Sequence, residues 1–206
     1  MTHFTVGIII PQNQSDIKSY IADQMEPYDE ALAVEPYVCY SLDQAAADIA
    51  GTIHRLELII ARNEPHYDIA KCREELEKLR ATTPEQKYRD HLQYHEDFND
   101  RGEPLSTFNP KGKWDWYVVG GRWDGWINDQ ETSDGSIRDN TAKTEQAIAG
   151  NKIPRVIITP DGEWHERGKT GWFGTLLTEN ENWNSDAKAI LARYPGYHVV
   201  IVDAHV

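Results

Sequence analysis

Asp203 and His205 stand two apart in the segment Val199-Val-Ile-Val-Asp-Ala-His-Val206, so a strand would turn both side chains to one face near its end. An imidazole beside a carboxylate can move a proton as a general base or offer two ligands to a metal. With His165 the pair would complete a two-histidine, one-carboxylate set, so His165, Asp203 and His205 are the catalytic candidates. A solvated chain end with a structural Asp–His contact accounts for the same residues, and no metal is assigned to them.

A second constellation is aromatic. All seven tryptophans lie between Trp114 and Trp183, and four fall in the run Asn109-Pro-Lys-Gly-Lys-Trp-Asp-Trp-Tyr-Val-Val-Gly-Gly-Arg-Trp-Asp-Gly-Trp126. Strand alternation would put Trp114, Trp116 and Val118 on one face and Asp115, Tyr117 and Val119 on the other. Gly120 and Gly121 permit positive φ or a close backbone approach. Arg122 follows, placed so that its guanidinium could stack on Trp116 or Trp123 while its fork holds a carboxylate or phosphate. The competing arrangement makes the tryptophans core and lid and pairs Arg122 internally with Asp115. Further on, Gly168, Gly171 and Gly174 recur every three residues beside Trp172, a loop that could fold over a ligand. The ligand-binding candidates are therefore Trp116, Gly120, Gly121, Arg122, Trp123, Gly171 and Trp172.

Other motifs are weaker. Gly168-Lys169-Thr170 is no phosphate-binding P-loop, because Glu163 stands where that motif needs its first glycine. His91 and His95 share a helical face, but as exposed side chains rather than a zinc-protease motif. Cys39 and Cys72 form neither a disulfide framework nor a zinc spacing, which fits a reducing cytosol.

Charge narrows the partners. A net charge of -13 argues against generic binding to nucleic acid or an anionic membrane. Over residues 1–53, eight acids face Lys18 alone, a surface suited to a basic protein partner or simply to solubility. No apolar stretch approaches the roughly 20 residues of a membrane helix. Ile8-Ile9-Ile10 is stopped by Pro11, so it reads as a strand rather than a signal peptide, and a soluble protein of the cytoplasm is expected.

The elements that must hold these residues follow from periodicity. Residues 3–10 form an unbroken apolar strand, and 16–25 a short helix with Ile17, Tyr20, Ile21 and Met25 on one stripe. Ser41 with Gln44, and Thr83-Pro84 with Gln86, open helices in a block of three spanning about 43–97. Residues 129–150 read as a long polar loop. A hairpin turns at Thr159-Pro-Asp-Gly162, a helix covers 185–193, and a strand closes at 197–202. The expected fold is one α+β domain over residues 1–206, a ferredoxin-like split βαβ sandwich. It has an antiparallel sheet, helices on one face, and a helical insertion at 43–97.

The run Asn109-Pro-Lys-x-Lys113-Trp-Asp-Trp-Tyr117-x-x-Gly120-Gly-Arg-Trp123 resembles the signature of an uncharacterised family of phage and mobile-element proteins. Pro160-Asp-Gly162, Gly168, Gly171-Trp172, the closing Asp203-x-His205 and the early Pro27-Tyr-Asp-Glu30 are similar to that group too, while Thr170 departs from its expected Met. The resemblance implies a phage setting in a host cytoplasm and supplies no activity and no cofactor. Two functions fit. One is a non-enzymatic accessory protein, with counter-defence as its role, that binds a host protein or a small anionic, nucleotide-like ligand, as a monomer or an oligomer. The other is an enzyme on a phosphorylated or nucleotide-like substrate, with Arg122 binding the anion and His205, oriented by Asp203, moving protons.

Overall fold

Phe4, Val6, Ile8, Ile9 and Ile10 offer no polar alternation, and such a strand is stable only if both faces are covered. The computed structural model, which describes residues 2–130, 134–168 and 180–206, shows that covering. The chain forms two compact units, Met1–Ala33 with Phe108–Val206, and Val34–Thr107.

In the first unit, strand β1 (His3–Ile10) runs into helix α1 (Ile17–Met25), whose N-terminus is capped by the Asp16 carboxylate accepting from Ser19 N–H at 3.0 Å. In the second unit a two-residue strand β2 (Tyr37–Val38) pairs with β3 (Leu105–Ser106). Between them lie helices α2 (Leu42–Arg62), α3 (Ile69–Ala81) and α4 (Pro84–Leu92). Ser41, Asp68 and Thr83 cap the three N-termini, and Leu56, Ile59, Cys72 and Leu76 make the unit's buried cluster. The three helices thus run from Leu42 to Leu92.

Back in the first unit follow β4 (Trp116–Val119), β5 (Thr141–Lys143), α5 (Thr144–Ala149), β6 (Val156–Ile158), β7 (Trp164–Glu166), α6 (Trp183–Ala192) and β8 (His198–His205). The sheet order is β4-β8-β1-β6-β7, with β5 pairing the same edge of β8 beside β4. β1 and β8 pair antiparallel over all eight residues, from His3 opposite His205 to Ile10 opposite His198.

The α+β class is as expected, but the architecture differs from the ferredoxin-like expectation in two respects. β1 and β6 are parallel neighbours, so the crossover through α1 is not split and the sheet is mixed. The helices also cover both faces. Phe4, Val6, Ile8 and Ile10 pack with Val200 and Val202 against Ile21 and Met25 of α1. Ile9, Ile157, Val199 and Ile201 pack against Ala147 of α5 and Ala187 and Leu191 of α6. Amphipathicity told that each helix has an apolar side; it carried no information on which sheet face that side would meet. Among the described residues no helix is long and apolar enough to cross a membrane.

Candidate functional site

The β1–β8 register places His3 directly opposite His205, and β4 places Trp116 opposite His205 on the other edge. Directly opposed residues share a sheet face, so these three rings lie side by side. The His3 and His205 ring centroids are 5.0 Å apart and edge-on, while Trp116 stacks on His205 at 5.2 Å and 15°. Trp116 is 44% exposed and is the outer layer of this group.

Each histidine is held by its own carboxylate. His3 Nδ1 lies 2.9 Å from Asp203 Oδ1, and His205 Nδ1 lies 2.7 Å from Asp115 Oδ1. A carboxylate only accepts, so each Nδ1 carries the donated hydrogen and each Nε2 is the free position. Asp203 is buried, and its second oxygen accepts the Arg122 backbone N–H at 3.0 Å.

That last bond explains Gly120-Gly121. After β4 the chain must fold back onto Asp203, and both glycines take positive φ, 72° and 54°. A Cβ on Gly121 would sit 2.5 Å from the Asp203 side chain, and one on Gly120 2.5 Å from the Asn140 amide. Asn140 is fully buried and ties the turn down: its amide donates to Asp124 at 2.6 Å and its side-chain oxygen accepts from Gly125 N–H at 2.9 Å. The turn thus fixes the Arg122 backbone while leaving its side chain exposed, with no ion pair to another described residue. Asp203, which holds the Arg122 backbone, and His205, on which Trp116 stacks, are two residues and about 7 Å apart along β8.

Of the expected residues, Trp116, Gly120, Gly121, Arg122, Asp203 and His205 come together. His165 does not join them. It sits on β7, three strands from β8, about 14 Å across the sheet, and its nearest charged neighbour is Glu163 at 3.4 Å. Trp123 packs half-buried against the α5/α6 core rather than beside Arg122. Gly171 and Trp172 lie outside the described residues. Asp203 pairs with His3 and not with His205, and Arg122 does not pair with Asp115. Nor do Trp114 and Trp116 share a face: Trp114 is buried against α1, donating to the Met25 carbonyl at 3.1 Å, with Tyr117 packed edge-on at 4.9 Å. Burial pushes the Tyr117 phenol up, so it stays neutral beneath the site.

His3, Asp115 and Asn140 were not foreseen. His3 is local to nothing but the strand it opens, and only the β1–β8 register brings it to Asp203. Among the described residues no group of three or more His, Cys, Asp or Glu has the geometry to hold a metal ion. A cavity of about 650 Å³ opens at the opposite end of the β1–β8 ladder, lined by Gln12, Asp16, Lys18, Arg138 and His198. Trp116 and Arg122 do not line it; both residues are exposed, and they form a ledge on the surface.

In the second unit, His91 and His95 are half-buried rather than exposed. The His91 ring lies 3.8 Å from Tyr40, and His95 Nδ1 is 3.6 Å from Cys39 Sγ. Burial, then the neighbouring His95, pushes His91 below the usual imidazole value.

No family model matches the chain, and no curated protein or solved structure matches it.

Proposed function

We propose that the first unit binds a small anionic, nucleotide-like ligand on the ledge formed by Trp116 and Arg122. One observation carries this reading: Asp203 and two positive-φ glycines pin the Arg122 backbone while its guanidinium stays exposed and without an ion pair among the described residues. An exposed planar cation and an exposed indole, carried on β4 and the turn that follows it, suit an anion attached to an aromatic base. The phage or mobile-element setting and the cytoplasmic location rest on the resemblance and on composition. An accessory role against host defence suits both. Seven of the eight early acids are exposed, which favours a basic host protein as a second partner.

Titration of tryptophan fluorescence with nucleoside mono- and diphosphates tests the ligand reading. Arg122→Lys keeps the charge but loses the fork, so affinity falls about tenfold or more while the melting temperature stays within about 2 °C. No quenching of the wild type by any nucleotide, or a large fall in the melting temperature of the variant, refutes it.

A further inference from the structure

Two histidines each tied through Nδ1 to a separate carboxylate leave two Nε2 atoms on one sheet face. Neither Nε2 makes a hydrogen bond among the described residues, and neither is among the orphaned polar atoms sealed from solvent, as those of His95 and His165 are. A packing role asks for no second carboxylate: Asp115 is 37% exposed on its side chain and could remain in water, yet it reaches His205 at 2.7 Å. The Asp–His contacts fix the tautomer and aim of both rings, as an acid–base pair needs.

We infer that His3 and His205 are the general acid and general base of a phosphodiester transfer on a ribonucleotide-like substrate. This rests on the ledge binding such a ligand, and it adds the reaction. One neutral imidazole takes the proton of the hydroxyl next to the phosphate as that oxygen bonds to phosphorus. The bond from phosphorus to the leaving oxygen breaks with its electron pair on that oxygen, which receives the proton of the other, protonated imidazole. The products are a cyclic phosphodiester and an alcohol, and the two rings have exchanged protonation states, which solvent resets. Arg122 faces the charge on the phosphate oxygens, and Trp116 offers its indole to the base. Asp203 and Asp115 are positioning residues.

The test uses the full chain and three probes: a ribodinucleoside monophosphate, its deoxy analogue, and a ribonucleoside phosphate ester with a nitrophenol leaving group. The ribo probe is cleaved to a cyclic phosphate and the deoxy probe is not. His3→Gln and His205→Gln each slow the ribo probe by about a hundredfold or more. The variant lacking the acid regains the nitrophenyl ester to within about tenfold, since nitrophenolate leaves without a proton. Loss of fold would remove both esters alike. Should either variant fail to fold, Asp115→Asn leaves the surface intact, and it lowers kcat by about a hundredfold at unchanged KM by releasing the tautomer of His205.

A ribo probe that quenches tryptophan fluorescence but is never cleaved overturns the reaction and leaves the ligand reading standing. A probe that neither binds nor reacts overturns both. Cleavage that persists in either folded glutamine variant, or equal loss of both esters in both folded variants, also overturns the acid–base assignment.

Discussion

Replacing Gly121 with alanine perturbs a single point on which the site depends. The new Cβ falls 2.5 Å from both Cβ and Oδ2 of Asp203 and 2.9 Å from its Cγ. These are separations at which something must shift, and the carboxylate is buried with no room to yield. A φ of 54° also costs alanine about 1 kcal/mol relative to glycine. Displacing Asp203 weakens its bonds to Arg122 N–H and His3, and a hydrogen bond to a charged group is worth about 1.5–3 kcal/mol. Together these give a loss of about 3–5 kcal/mol, or about 8–15 °C in melting temperature. Every tryptophan lies in the first unit, so a fluorescence melt reads that unit alone. Gly51→Ala, in α2 of the second unit, is the control and is read by helical circular dichroism instead: nothing lies within 4 Å of its Cβ, and helix propensity adds about 1 kcal/mol of stability. If Gly121→Ala melts within about 2 °C of the wild type, the close approach to Asp203 is not what the glycine is for.

Two further outcomes follow from buried polar groups. Asn140→Ala strands Gly125 N–H and the Asp124 carboxylate in the turn, costing the first unit about 2–4 kcal/mol in a urea titration followed by tryptophan fluorescence; a loss below about 1 kcal/mol would show that water replaces the amide. In the second unit, burial and then the Asp48 carboxylate, 3.0 Å from its hydroxyl, push Tyr40 up to about 12. An unfolded tyrosine ionises near about pH 10, so the stability Tyr40 contributes is complete below that pH and is lost as pH rises towards 12. Tyr40→Phe therefore flattens the fall of the urea midpoint across that window, read by helical circular dichroism, and an unchanged slope refutes the assignment.

What could be read in the sequence was what local pattern determines. β1 was legible because an unbroken apolar strand has few alternatives, and the caps at Ser41 and Thr83 were legible because capping is a matter of three or four adjacent residues. The Gly120-Gly121-Arg122 turn was legible as a strained turn, but its partner, Asp203, lies 81 residues from Arg122. The error at Trp114 is a register error. Strand alternation holds only from Trp116, where β4 begins, whereas the backbone at Trp114 pairs with Tyr28 and Glu30. A shift of this kind sends a side chain to the opposite face. β5 and α5 were hidden because Thr-Ala-Lys-Thr-Glu-Gln is polar but for Ala142; they exist because β8 supplies the ladder and Ala142 and Ala147 have a core to meet. His3 could be found only through the pairing of the first and last strands.

β8 carries three pairings at once, to β1, β4 and β5, and it follows every other described strand in chain order. During synthesis at about 5–20 residues per second, β1 therefore waits some 10–40 s for its antiparallel partner. Through that interval β1 has at most the three-residue parallel ladder of Val6–Ile8 to β6, which leaves Ile9 and Ile10 without a strand partner among the described residues. The helical unit is under no such delay, since its buried cluster and the β2–β3 pairing are both complete by residue 107. A ribosome-bound chain can thus hold a finished helical unit beside an open sheet. The ledge at Trp116 comes into being only when His205 has been added, so any activity housed there requires β8 and is absent from a nascent chain that has not yet reached it.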